Sequence, residues 1–398
     1  MMSIKKLFAE LEADYDNIVK TRRYLHEYPE LSFQEKNTSR YIAEQLKALQ
    51  IEVRENVGGN GVLGYIKGDH PGKTIALRAD FDALPIQEQN THDFVSKVPG
   101  VMHACGHDGH TASLLGVAKV LQNNRHHLKG NIVLIHQHAE EQPPGGARFM
   151  IEDGALHNVD YVFGAHLATE LPVGTISSRK GAMMASVDHF KIRISGRGGH
   201  GARPHETLDS ITIGTQLVNH LQQIVSRRIN PIQPAVVTIG KFHAGNAFNI
   251  IADSAEIEGT VRALDANVRK MIEKEIRAIL EGMKIADHVE YELDYIYGYP
   301  VLVNDDKEVA LVEKLVNEHL QDARYIEKEP SLGAEDFAYY LEHCPGAFIY
   351  VGARNDDPAT QYPHHHPKFN FDETVLIDIG KVFIALVHHY LMKGAISS

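Results

Sequence analysis

Four short clusters in this sequence carry side chains that bind metal ions. They are His103-Ala-Cys105-Gly-His107-Asp108-Gly-His110, the pair Glu140-Glu141, the single His166, and His364-His365-His366-Pro367. Thiolate, imidazole and carboxylate donors in one set suit zinc, manganese, cobalt or nickel better than calcium or magnesium, which favour all-oxygen shells. Each cluster alone has an ordinary explanation. A lone cysteine is usually a small core hydrophobe, a Glu pair a solvated loop, a histidine run a surface feature. Co-occurrence is what argues for a metal centre. Glu140-Glu141 closely follows the apolar run 132–136 and precedes Pro143-Pro144-Gly145-Gly146. Two adjacent charges buried there would need a counter-charge. The remaining histidines of interest, His103, His110, His126, His127 and His138, read as structural or as supports for the ligands.

Other chemistries fail on their spacing. The run Gly68-Asp-His-Pro-Gly72-Lys73-Thr74 is one residue short of a phosphate-binding loop and reads better as a hairpin turn. No H-E-x-x-H and no G-x-S-x-G occurs. Two cysteines, Cys105 and Cys344, exclude both a disulfide scaffold and the P-C-x-x-C of zinc deaminases, and they suit a reducing cytoplasm. The 398 residues carry 40 Lys and Arg against 52 Asp and Glu, a formal charge of −12. That balance argues against nucleic acid or an anionic membrane as partner. No run of eighteen apolar residues suggests a membrane span, and the N-terminus reads as an amphipathic helix rather than a leader peptide. The 25 histidines again direct attention to metal chemistry.

The elements that must position these clusters follow from periodicity. Ser3 can cap a helix with Leu7, Leu11, Tyr15, Ile18 and Leu25 on its apolar side, running on until just before Pro29. A second helix covers about 38–49. Strands are expected at 61–66 and 74–78, joined by the hairpin turn, at 132–136 with both faces buried, and at 161–165. His107, Thr111, Leu114, Ala118 and Leu121 fall at helical spacing. Alternating strands and helices predict an α/β sheet covered on both faces, with ligands bound at the carboxyl edge of its strands. From Val187 the rhythm becomes β-α-β-β-α-β: strand 190–194, helix 208–226, strands 236–242 and 255–262, helix 268–282, strand 289–295. That is the ferredoxin-like α+β order. After Pro300 come helix 306–320, strand 348–351 and helix 372–391. The expected organisation is an α/β catalytic domain split between 1–186 and 299–398, with the ferredoxin-like domain inserted at 187–298.

These residues resemble the amidohydrolases that include hippurate hydrolase, N-acyl-amino-acid amidohydrolases and indole-acetyl-amino-acid hydrolases. They are a branch of the dinuclear metallopeptidases that also contain aminoacylase and carboxypeptidase G. The resemblance rests on Arg23-Tyr-Leu-His-Glu-Tyr-Pro-Glu-Leu31, Ala76-Leu-Arg-Ala-Asp-Phe-Asp-Ala-Leu-Pro85, the His103 to Ala112 run, Ala139-Glu-Glu141, Gly198-Gly-His-Gly-Ala-Arg-Pro-His205 and His365-His-Pro-Lys-Phe369. It implies that Cys105, His107, Glu141, His166 and His365 hold one or two divalent ions, manganese or zinc first, cobalt or nickel next. It implies that Glu140 is the general base and that Asp82 orients a ligand histidine. Chemistry agrees: a metal lowers the pKa of water, and a neighbouring carboxylate can take the proton and deliver it to the leaving amine. It further implies a homodimer formed through the inserted domain, with His200 stabilising the oxyanion of the partner's site, and Asn249 and Arg262 gripping the substrate carboxylate. His138 replaces the proline that relatives often carry there, and Gly201 an alanine; neither removes a ligand or the base. The expected reaction is hydrolysis of an N-acyl amino acid. A dipeptidase, an N-acetyl-diaminopimelate deacetylase, or a silent metal-binding homologue are the alternatives.

Overall fold

The computed structural model describes residues 2–392, so Met1 and 393–398 of the expected catalytic domain lie outside the described residues. The chain forms two compact units. The larger holds everything up to Gly181, Val303–Glu329, and the chain from Asp336 on; the smaller holds Ala182–Leu302 and Pro330–Glu335.

The larger unit is built on an eight-stranded sheet in the order Glu52–Val57, Gly61–Lys67, Lys129–Gln137, His70–Asp80, Tyr161–Pro172, Gly346–Arg354, Thr175–Ser178, Arg324–Glu327. At its centre His70–Asp80 runs parallel to Lys129–Gln137 and to Tyr161–Pro172, which is parallel to Gly346–Arg354. The expected hairpin between the strands predicted at 61–66 and 74–78 does not form, because Lys129–Gln137 lies between them. The glycines of that turn serve a close crossing instead. A Cβ at Gly72 would stand 2.0 Å from the Lys129 carbonyl oxygen, and Gly68 N donates to Gly130 O at 3.0 Å. The apolar run 132–136 takes the interior position that its two buried faces require.

The first helical stretch also departs from expectation. It breaks at Asp14 into Ile4–Ala13 and Tyr15–Glu27, and Ser3 makes no side-chain cap. The Asp14 carboxylate accepts from Asn17 Nδ2 and Lys119 Nζ, both at 2.6 Å. Helix His107–Asn123 is buried along nearly its whole length and packs with Tyr15–Glu27 and Val375–Val387 in one core. Among the described residues one stretch, Val375–Met392, is apolar and long enough to cross a membrane, but 72% of it is buried in this core.

In the smaller unit the sheet order is Ala235–Ala244, Ser254–Ala263, Ser186–Ser195, Glu290–Tyr297, antiparallel throughout. Helices Ser210–Gln223 and Ala266–Asp287 bury Leu217, Leu221, Ile272 and Ile276 against Phe190, Ile192 and Ile257, a core distinct from that of the larger unit. Asp209 and Asp265 cap the two helices by accepting backbone N–H bonds. This is the ferredoxin-like arrangement.

Candidate metal centre

Strand register sets the level of the site. Asp80 pairs with Gln137, and Arg78 pairs with Gly164, so His166, two residues further, stands level with Asp80. Cys105 and His107 come from the segment that opens helix His107–Asn123. Gly106 between them has φ 89°, and a Cβ there would meet Leu167 at 2.7 Å; only glycine fits.

The donors converge. Cys105, His107 and Glu141 offer ligand atoms that all lie within 4.8 Å of one another. Cys105 Sγ is 3.4 Å from His166 Nε2, and His365 Nε2 is 3.2 Å from Glu141 Oε1. Glu140, buried at 7% exposure, is the next residue along the chain. The ring nitrogens have separate tasks. His107 Nδ1 lies 3.0 Å from Asp82 O and 3.1 Å from Asp82 Oδ1, while His166 Nδ1 lies 2.6 Å from Leu167 O. N–H donation there leaves each Nε2 with a lone pair for a ligand role. His107 Nε2 is buried with no hydrogen-bond partner. An orphaned ring nitrogen inside a mixed Cys, His and carboxylate set fits a divalent transition metal.

Electrostatics point the same way. Burial opposes charge on His107, but Asp80, then Asp82 and Glu141, override it and raise its pKa to about 10. Burial, and then the charges of Glu141, Glu140 and Asp80, hold the Cys105 thiol well above its ordinary pKa. A donor cluster this anionic suits a cation, whose binding would release thiol and imidazole protons.

Asp82 does more than its predicted task. Its Oδ2 accepts from Glu141 N at 2.9 Å and from Ser32 Oγ at 2.7 Å, so one carboxylate ties a ligand histidine to the Glu140-Glu141 turn. His110 has no nitrogen to spare, since Nδ1 lies 2.6 Å from Asp80 Oδ1 and Nε2 accepts from Leu167 N at 3.0 Å. Beneath it lies a network that the sequence did not single out. Fully buried Arg78 donates to Asp80 Oδ2 at 2.7 Å, Gln137 Oε1 at 2.9 Å and Asp336 Oδ1 at 2.9 Å. Asp336 carries no motif, and only its burial reveals it. His364, part of the fourth candidate cluster but not of the implied ligand set, has its Nδ1 3.7 Å from Cys105 Sγ, close to His166 as well.

In the smaller unit His200 and Asn249 are neighbours. His200 pairs with Ile250 in a two-residue ladder, Gly201 N donates to Asn249 O at 2.9 Å, and both side chains are exposed. Arg262 is not with them. It is half-buried opposite Val187, at the end of the sheet where the chain enters at Ser186 and leaves at Tyr297. Ser254, next to the His200 ladder, lies eight residues back along the same strand, about 27 Å away.

Residues 76–389 match Peptidase family M20/M25/M40. The protein YhaA of Bacillus subtilis (strain 168) is 50% identical over 389 residues, 97% of this chain and 98% of that one. The N-acyl-L-amino acid amidohydrolase of Geobacillus stearothermophilus is 45% identical over 76% of this chain and 81% of its own. The crystal structure of Bacillus subtilis YXEP, a dinuclear metal-binding peptidase of the M20 family, superposes with a TM-score of 0.82 at 38% identity, covering 94% of this chain and 98% of that one. Matched over most of its length, and with a clustered Cys, His and Glu donor set suited to divalent metal, the chain is a metal-dependent hydrolase that belongs to peptidase family M20/M25/M40.

Proposed function

We propose that the protein hydrolyses the amide bond of N-acyl amino acids, releasing a carboxylate and a free amino acid. The observation that carries the reading is the buried Glu140 carboxylate directly beside Glu141, whose Oε1 lies 3.9 Å from the orphaned His107 Nε2. The name of the Geobacillus relative supports the substrate class. Cys105, His107, Glu141, His166 and His365 hold one or two ions, manganese or zinc ahead of cobalt or nickel. When bound, the metal polarises the scissile carbonyl and acidifies water.

The protein's own groups do the rest. Glu140 takes the proton of the attacking water and passes it to the departing nitrogen. Asp82 keeps the His107 ring turned so that Nε2 faces the other donors. His200 donates to the oxygen that becomes negative in the tetrahedral transition state. It acts on the partner's site in a homodimer formed through the inserted domain, and closed two-fold dimers are the commonest oligomers. Arg262 and Asn249 grip the substrate carboxylate, Arg262 with a bidentate fork. Because one strand length parts them, they serve one site from different subunits. The enzyme works in the cytoplasm, where a reduced Cys105 persists.

A panel of N-acyl amino acids, dipeptides and N-acetyl-diaminopimelate, assayed with metal-reconstituted protein, tests the reading. Highest kcat/KM on N-acyl amino acids is expected. Preference for either of the other classes reassigns the substrate, and no turnover with bound metal makes the protein a silent homologue.

A further inference from the structure

Ala139, one residue before Glu140, has φ 52°, a left-handed conformation that residues with a Cβ adopt rarely. Its backbone is held from both sides. Ala139 N–H donates to Glu35 Oε1 at 2.8 Å, and Ala139 O accepts from Gly146 N at 2.9 Å. Glu35 is 0% exposed, and its second oxygen accepts from Asn60 Nδ2 at 2.9 Å. Glu35 sits just ahead of helix Lys36–Ala48, and Asn60 sits in the turn before strand Gly61–Lys67, so both arrive from elements that contribute no candidate ligand. On the other side of Glu140, Glu141 N donates to Asp82 Oδ2. The residue read as the base therefore lies between two backbone amides, each fixed by a buried carboxylate.

We propose that Glu35 is a positioning residue that clamps Ala139 in its left-handed conformation and so sets the direction in which the Glu140-Glu141 pair leaves strand Lys129–Gln137. The Glu35 carboxylate bonds to Ala139 N and Asn60 Nδ2, neither of them a candidate ligand. The inference rests on the reading of Glu140 as general base. Such a clamp has a characteristic chemistry. It needs an acceptor at the Glu35 oxygen but no charge: burial, followed by the nearby Asp82 charge, already raises the Glu35 carboxyl to about 7. It also becomes dispensable if residue 139 is glycine, which reaches positive φ without strain.

The test compares Glu35→Gln, Glu35→Leu, Glu35→Leu with Ala139→Gly, and Glu140→Gln, all metal-loaded, by kcat, KM and metal content. Glu35→Leu is expected to lower kcat about 10- to 100-fold, as a small misplacement of a reacting group does, with KM and metal content near native. Glu35→Gln keeps kcat within about threefold, since its amide oxygen still accepts. Adding Ala139→Gly to Glu35→Leu restores at least about fivefold of the loss. Native kcat in Glu35→Leu overturns the clamp, and so does a loss that neither the amide nor the glycine repairs, because that marks a purely structural burial. Should Glu35→Leu fail to fold, Asn60→Ala replaces it, freeing the other Glu35 oxygen at a half-buried position. A loss of about threefold or more, repaired by Ala139→Gly, is then expected, and native kcat overturns the clamp. Glu140→Gln separates the two readings. If it is inactive while Glu35→Leu is native, only the clamp fails; if it is itself native, the assignment of the base fails.

Discussion

In the larger unit His107 is 0% exposed, with one nitrogen held by Asp82 and the other orphaned beside Glu141 and Cys105. In the smaller unit His200 is exposed, and its Nδ1 accepts one bond from Ala202 N, two residues away. The first histidine is fixed before any ligand arrives; the second is fixed only with respect to its own turn. The same contrast holds around them. Asp80, Asp82 and Asp336 are buried and multiply bonded, whereas Asn249 lies on an exposed segment beside fully exposed Phe248. Metal affinity requires preorganised donors and neutralised charge within one folded unit. A group that meets charge only in the transition state can be supplied later, by assembly. Burial thus sets His107 and its supporting carboxylates apart from His200 and Asn249, although His365, beside Glu141, is exposed like them.

The sharpest break in that contrast comes from Glu140→Gln. If the larger unit holds the chemistry, the variant keeps full metal content and loses about 10²–10⁴ in kcat, the range for a general base. Metal analysis beside steady-state kinetics checks both halves, and normal metal with near-native kcat would remove Glu140 from its role.

His200→Ala tests the other side. Loss of one oxyanion donor should lower kcat about 10²–10³ with less effect on KM. Mixing inactive His200→Ala with inactive Glu140→Gln subunits should restore activity, up to about one working site per mixed dimer. Absence of recovery despite proven subunit exchange places His200 in its own subunit or outside the reaction.

Metal removal reads the larger unit directly. Chelation should raise labelling of Cys105 by a thiol reagent, since a coordinated thiolate is masked. Cys344, buried in the same unit, serves as the internal reference. Chelation should also lower the unfolding free energy by the lost binding free energy, about 2.7 kcal/mol if metal had stood at a hundred times its dissociation constant, and the melting temperature falls with it. Equal labelling with and without metal strikes Cys105 from the donor set.

Much of this centre was legible in the sequence because its donor types fall in four short clusters, from which the family resemblance picks the ligands. Cys105, His107, Glu141, His166 and His365 were named before any geometry, and the structure brings them together. Periodicity exposed the β-α-β-β-α-β order of the smaller unit because its strands alternate buried and open positions, as in Ser186–Ser195. What escaped depended on long-range pairing. A glycine-rich turn between two strands reads as a hairpin until a third strand, Lys129–Gln137, is seen to lie between them. Arg78, Gln137 and Asp336 come from distant segments, and their common network leaves no mark on local composition. Neither does the 2.8 Å bond from Ala139 N to Glu35, whose sign is a backbone angle rather than a residue type.

The smallest expected effect also tests how the smaller unit's residues are shared between subunits. Arg262→Lys preserves the charge but not the bidentate fork, so one of two charge-assisted hydrogen bonds to the substrate carboxylate is lost. That is worth about 1.5 kcal/mol, or roughly tenfold in KM, with kcat little changed because ground state and transition state lose the contact alike. Geometry adds a stronger demand. Arg262 stands opposite Val187, at the far end of the strand from the His200 ladder, so the two cannot both touch one small substrate from the same subunit. If they serve one site from different subunits, a dimer of one His200→Ala and one Arg262→Lys subunit contains one site with neither defect and one with both. Mixed preparations should then show native KM at up to about half of native kcat per dimer. If both residues act within their own subunit, every site in the mixture carries one defect, and native KM appears only with the low kcat of His200→Ala at any mixing ratio.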